Sequence, residues 1–279
     1  MDAPTPLPTP SDTDPLAPLR AALPRPASCA LGWVESTGST NADLLQAAKS
    51  GTLSGPTLLA AARQTAGRGR RGRHWHDDAG SVLCSVAWPF APRQDIAPLS
   101  LAVGVWLAQA LQTLGATAIR LKWPNDLLLP AADTASGWRK LGGVLIEVAD
   151  TADARWAVIG FGINLQSPAD QPDAAGLATA GVDADRGAVL AATVPALLDG
   201  LAGCSANGFG PTLDQWNRLH AWAGQTVAVH DTGQVLFSGT ALGLAADGAL
   251  RVQTPQGERE VRSADVSLRL AGTIAPPVR

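Results

Sequence analysis

The residues best suited to do chemistry in this 279-residue chain lie at positions 67–75, which read GRGRRGRHW. Three glycines and four arginines share those nine positions. Each guanidinium is a planar fork of donors that fits two oxygens of a phosphate or carboxylate at once. Gly67, Gly69 and Gly72 let the backbone approach a ligand closely and take φ > 0 where a turn needs it. The loop is not a Walker loop, because no Gly-Lys-Ser/Thr follows. Taken alone, the stretch also reads as an Arg/Gly tract that touches nucleic acid non-specifically. Its flanks argue against that, since residues 57–62 and 81–88 both read as buried strands. A basic loop pinned between two core strands is a binding loop on a scaffold.

Further polar clusters stand along the chain. Ser39, Thr40 and Asn41 precede a helical run with Leu44, Leu45 and Ala48 on one face. Such residues cap helices, and their hydroxyls and amide also suit a polar, uncharged ligand group. Gln64 leads into the arginine loop. Trp123, Pro124, Asn125 and Asp126 interrupt an apolar strand spanning 119–129; this is turn chemistry, and it places Asn125 and Asp126 at a sheet edge. Lys140 opens a strand beside Gly142 and Gly143. A lysine there is ordinarily solvated, whereas paired glycines mark a close approach of backbone or ligand. A strand over 156–164 ends on Gly162 and Asn164. His74 and His76 flank Trp75, with Asp77 and Asp78 next; with no further clustered ligand, they read as a polar loop end rather than a metal site.

The elements that must hold these groups are mostly strands with few helices between them. That pattern predicts an α+β fold with a mixed or antiparallel sheet, not a doubly wound one. A core helix is expected over 96–114, ended by Gly115, and further helices over 187–201 and 213–222. Pro195 should kink or split the first of these two. Residues 130–138 are small and polar and read as a mobile loop. From 224 the texture changes to short alternating strands with turn signals at 246–248 and 255–257, which predicts a small SH3-like β-barrel. Residues 1–28 carry eight of the 21 prolines and are expected to be a disordered extension with no core element. The expected organisation is therefore an extension (1–28), a ligand-binding domain (29–223) and a barrel (224–279). A net charge of −3 argues against a dedicated DNA-binding protein. Cys29, Cys84 and Cys204 form no metal or redox pattern and suit a reducing compartment. No stretch reads as long and apolar enough to span a membrane, and the start lacks the order of a signal peptide, so the expected location is cytoplasmic.

In this order and spacing, residues 39–41, 67–75, 122–126, 140–143 and 160–164 resemble the biotin protein ligases, which attach biotin to the biotin carboxyl carrier subunit of carboxylases. The resemblance covers about residues 31–271. It implies a class II synthetase-like catalytic domain followed by the barrel. The chain departs from the family in lacking the winged-helix domain of the repressor members, so no DNA partner is expected. His74 also stands where many members carry lysine, and the loop before Lys140 is somewhat longer.

The resemblance implies two steps. The carboxylate of biotin attacks the α-phosphate of ATP, giving biotinyl-5′-adenylate and pyrophosphate. A carrier lysine then attacks the mixed anhydride and releases AMP. Mg²⁺ would ride on the phosphates, with no protein-only metal site. By the same resemblance, Arg68 and Arg70 meet the carboxylate and α-phosphate, Lys140 bridges those oxygens, and Arg73 reaches the triphosphate. Ser39, Thr40, Asn41 and Gln64 would contact the ureido ring, with Gly67 and Gly69 in the same biotin-binding stretch. Trp75 would stack on adenine, and Asn125 and Asn164 would contact the nucleotide or its metal. Asp126 would either take a proton from the incoming lysine or hold Mg²⁺; the sequence leaves that choice open, and a homodimer is compatible with it. Two readings compete: a lipoate-type ligase of the same chemistry, and a nucleic-acid module built on the arginines. The Ser-Thr-Asn cluster favours a ureido ring over lipoate, and the acidic balance of the chain disfavours the module.

Overall fold

Two-residue alternation along the apolar runs makes strands, and the helical runs between them cover the resulting sheet. The computed structural model describes residues 14–23, 29–75, 80–231, 234–262 and 267–270. In chain order come α1 (Ala17–Ala22), β1 (Ala30–Thr37), α2 (Thr40–Lys49), β2 (Thr57–Gln64), β3 (Val82–Phe90) and α3 (Leu99–Thr113). Then follow β4 (Arg120–Lys122), β5 (Asp126–Pro130), β6 (Trp138–Asp150), β7 (Arg155–Ile163), α4 (Arg186–Asn207) and α5 (Gly210–Leu219). The chain closes with β8 (Thr226–Asp231), β9 (Gln234–Leu244), β10 (Leu250–Thr254), β11 (Gly257–Val261) and β12 (Ser267–Leu270).

The first seven strands form one sheet in the order β1-β2-β3-β7-β6-β5-β4. Only β1 and β2, joined through α2, pair in parallel; the other pairs are antiparallel. The last five make an antiparallel sheet, β11-β10-β9-β8-β12, a small C-terminal β domain. The fold is thus α+β with a mixed sheet, as the strand-rich sequence predicts.

Alternation assigns each central strand two faces. Val82, Cys84 and Val86 of β3 and Ala157, Ile159 and Phe161 of β7 join the main core with α3 and α4. Their neighbours Ala87, Trp156 and Val158 meet Leu44 and Ala48 of α2 on the opposite face. Further along that second face the large side chains give way to Ser85, Gly160 and Gly162, and a cavity opens there.

Four expectations need correction. Within 1–28, residues 17–22 form α1, and Leu16, Leu19 and Leu23 are buried. Those leucines pack on α4, where Gly187 lets the segment come close: a side chain at 187 would lie 3.0 Å from Pro18. Residues 1–13 and 24–28 of the expected extension, like His76, Asp77 and Asp78, lie outside the described residues. Pro195 does not split α4, which runs unbroken for 22 residues; Val194, Leu197, Leu198 and Leu201 around it are buried in the core, and that packing outweighs one missing backbone donor. This same helix is long and apolar enough to cross a membrane by composition, contrary to the sequence reading, but its apolar side belongs to the core. The segment after β5 is a closed turn, with Ala131 N–H donating to the Gly137 carbonyl and Gly137 N–H to that of Thr134.

Candidate active site

The cavity has a neutral end and a charged end. The neutral end is built at the start of α2. Ser39 is the N-cap, its hydroxyl accepting from the Ala42 amide at 3.4 Å. With Ser39 occupied in capping, the next two residues point their polar groups across the sheet face. Gln64 Oε1 accepts from the Thr40 amide at 2.8 Å, and Thr40 Oγ1 lies 2.7 Å from Ser85 Oγ. Ser85 in turn donates to Asn41 Oδ1 at 2.8 Å, and Asn41 Nδ2 donates to Glu147 Oε2 at 2.9 Å. All of Ser39, Thr40, Asn41 and Ser85 are buried, where polar groups persist only when hydrogen-bonded. Gly160 makes room for this cluster, because a Cβ there would collide with the Asn41 side chain.

The arginine loop is a short antiparallel hairpin. The Trp75 amide donates to the Gly67 carbonyl at 2.9 Å and the Gly69 amide to that of Arg73 at 2.7 Å. A tight turn at 70–72 closes it, with Arg71 and Gly72 in the left-handed region (φ 59° and 71°). Gly67 is required by contact, since a side chain there would lie 2.8 Å from the Trp75 carbonyl. Arg68 Nη2 reaches Glu147 Oε2 at 2.5 Å, and Arg70 Nη1 reaches Asn125 Oδ1 at 3.3 Å.

The charged end lies over β4, β5 and β6. Lys140 Nζ sits 2.7 Å from Asp126 Oδ1, and Lys122 Nζ sits 3.2 Å from Oδ2. Burial alone would raise the pKa of Asp126. The Lys140 and Lys122 charges, with their hydrogen bonds, overcome it and hold the carboxylate well below its usual range. A carboxylate so stabilised as an anion is a weak general base. The geometry therefore disfavours the role of proton acceptor for Asp126. Asn125 is fixed by donating to the Val144 carbonyl at 2.9 Å. Arg70 is also partly buried, which lowers its pKa against the pull of Asp126.

The structure brings Ser39, Thr40, Asn41, Gln64, Arg68, Gly69, Arg70, Arg73, Trp75, Asn125, Asp126 and Lys140 to the walls of one cavity. Gly67 is not among the lining residues, and neither is Asn164. Asn164 is buried in the turn after β7, accepting from Ser81 Oγ at 3.0 Å and donating to the Ala175 carbonyl at 3.1 Å. The Trp75 ring lies against β7, so close that a Cβ on Gly162 would be 2.5 Å from it, and Lys140 Nζ is 5.5 Å from its ring centre. Sequence reasoning gave no role to Lys122, Ser85 or Glu147. Ser85 was readable as a polar residue at an inward position of a buried strand; the other two had no such signal. The β domain also reaches the site: Leu268 of β12 lines the cavity, Asp231 lies 3.6 Å from Arg71, and Trp123 Nε1 donates to the Gly248 carbonyl at 3.2 Å.

Among the described residues no group of three or more His, Cys, Asp or Glu side chains could hold a metal ion. A hard divalent cation takes oxygen ligands, and the carboxylate of Asp126 already faces two ammonium groups.

Comparison with known proteins agrees over both sheets. Residues 33–164 match the biotin/lipoate A/B protein ligase family, and residues 223–269 match the biotin protein ligase C terminal domain. The bifunctional ligase/repressor BirA of Salmonella typhimurium is 34% identical over 242 residues, covering 84% of this chain and 72% of its own. The biotin–[acetyl-CoA-carboxylase] ligase of Paracoccus denitrificans is 31% identical over 242 residues, covering 82% of this chain and 97% of its own. Among solved structures, the biotin protein ligase from Aquifex aeolicus in complex with biotin and ATP superposes with a TM-score of 0.72 at 27% identity, covering 87% of this chain and 99% of that one.

Proposed function

The chain belongs to the biotin protein ligase family, and from that premise we propose how its own residues carry out the family's two reactions. The enzyme joins biotin to ATP, forming biotinyl-5′-AMP and releasing pyrophosphate. It then passes the biotinyl group to a lysine amine, releasing AMP. In this reading the acceptor is a biotin carboxyl carrier protein, where the name of the Paracoccus relative gives acetyl-CoA carboxylase, and the setting is the cytoplasm, where ATP is supplied and free thiols such as Cys29, Cys84 and Cys204 persist.

One observation carries the assignment of roles: a single cavity with a neutral hydrogen-bonding end and a cationic end. Biotin has the same polarity. Its ureido ring is a neutral donor–acceptor group, suited to Thr40, Asn41 and Gln64. Its carboxylate must meet the α-phosphate, and two anions approach only where fixed positive charge surrounds both. Arg70 and Lys140 supply that charge, and Lys122 adds to it from β4. Asp126 holds the two lysines in place rather than accepting a proton. Arg73 is assigned to the triphosphate, and the loop over the cavity keeps water from the mixed anhydride. Mg²⁺ enters on the nucleotide's own phosphates in this scheme, because the donor set around Asp126 does not offer it a site.

The test is biotin-dependent ATP–pyrophosphate exchange on the full chain, with Lys140→Ala alongside. Exchange that needs biotin and falls on the order of 10²–10³-fold in the variant, the scale for losing a preorganised charge at the reacting centre, is the expected result. Exchange driven by lipoate instead would overturn the substrate.

A further inference from the structure

Glu147 joins two parts of the site that are far apart in sequence. Its Oε2 accepts from Asn41 Nδ2 at 2.9 Å and pairs with Arg68 Nη2 at 2.5 Å. Asn41 belongs to the buried hydrogen-bonded cluster with Ser85, Thr40 and Gln64. Arg68 belongs to the hairpin that covers the cavity. The underside of that hairpin faces β6 at Leu145 and Glu147, so the carboxylate is the polar floor on which the loop rests. Glu147 itself falls on the sheet face that alternation turns toward α2.

We propose that Glu147 is a positioning residue through which occupancy of the neutral end of the cavity sets the closure of the arginine loop. The inference rests on the biotin-ligase reading above. A ligand that orders Thr40 and Asn41 fixes the Asn41 amide. That amide aligns one oxygen of Glu147, and the aligned carboxylate holds Arg68, and with it the hairpin, over the cavity. A ligand shifts an equilibrium only by its differential interaction with the two states. Glu147 is the group that gives biotin such a differential interaction with a loop on the other side of the site. The Ser85–Asn41–Glu147 chain is well suited to this, because each hydrogen bond in it polarises the next and it ends on a charge-assisted contact to Arg68.

The experiment is limited trypsin digestion at Arg70, Arg71 and Arg73 of the full chain, with and without biotin, beside calorimetric biotin binding. In the unsubstituted protein, biotin is expected to slow cleavage at least tenfold. Glu147→Gln keeps one acceptor but loses the charge. It is expected to bind biotin within about threefold of the unsubstituted affinity while protection drops below twofold. Glu147→Asp, which keeps the charge but shortens the link to Asn41 and Arg68 by one methylene, is expected to uncouple the loop in the same way. Equal protection in Glu147→Gln and the unsubstituted chain would overturn the proposal, as would no protection of the unsubstituted chain despite measurable biotin binding. Loss of folding in Glu147→Gln leaves the decision to Glu147→Asp, where retained protection likewise overturns it. A chain that binds no biotin at all overturns the ligase reading itself, so the two failures are distinguishable.

Discussion

The carboxylate of Asp126 lies 2.7 Å from the ammonium of Lys140 and shares its other oxygen with Lys122. A carboxylate held this way stays ionised through the whole working range. Its folded pKa is depressed, so what it contributes is present above the unfolded value and is lost only in strong acid. Asp126→Asn is expected to cut pyrophosphate exchange about 10–100-fold, the scale of ~1.5–3 kcal/mol for hydrogen bonds to charged groups. The pH–rate profile between pH 5 and 9 should keep its shape. Disappearance of an acid limb in the variant would restore Asp126 as a general base.

Gly160 is where the neutral end of the cavity can be closed with one methyl group. A Cβ there meets the Asn41 side chain. Gly160→Ala should raise KM for biotin at least tenfold, about 1.4 kcal/mol, with KM for ATP changed less than threefold. A rise confined to ATP would move the ureido ring away from Asn41.

His220, just after α5, is buried with its ring 4.6 Å from Trp216 and no partner for either ring nitrogen among the described residues. Burial pushes its pKa down to about 4. An unfolded histidine titrates near 6.5. Between those values the unfolded chain binds a proton that the folded chain refuses, so stability is full above about pH 6.5 and falls as the pH drops toward 4. Urea unfolding at pH 5 should show about 2 kcal/mol less stability than at pH 7.5 from this group. His220→Leu should flatten that difference, and equal pH slopes in both proteins would mean that His220 is not held neutral.

Leu19 of α1 has no exposed surface. Leu19→Ala should cost ~2–5 kcal/mol, the range for a leucine deleted from a packed core, read as a fall in Tm by calorimetry. A change under about 0.5 kcal/mol, the range of surface substitutions, would detach α1 from the folded unit.

What the sequence disclosed and what it hid divide along a physical line. Residue types declare chemistry locally. Four arginines among glycines are legible as an anion-facing loop and the Ser-Thr-Asn cap as a contact for a polar, uncharged group, whereas adenylate formation enters only through the resemblance of the ordered motifs to a family. Partnerships across the sheet are set by register, which no local stretch contains. Glu147 meets Asn41 only because β6 and β7 pair at 147 and 158 and α2 crosses above them. Lys122 joins the charged end only because β4 and β5 bring it opposite Asp126. Asn164 carries the right side chain at the right spacing, yet the turn after β7 commits it to Ser81 and Ala175. At α1 the prolines hid three leucines at helical spacing, Leu19 within the helix and Leu16 and Leu23 flanking it, and in α4 one proline outweighed a run of core positions in the reading though not in the fold.

The contacts from the β domain to the site, through Leu268, Asp231 and Gly248, make the C-terminal sheet part of the cavity wall. Local opening of β8 or β12 therefore removes a piece of the site, and substrates that favour the intact wall oppose that opening. Amide hydrogen exchange in those two strands becomes a remote gauge of occupancy: it should slow when biotin and ATP are bound, by a factor that reports how much of the binding energy is spread into a domain holding none of the reacting groups.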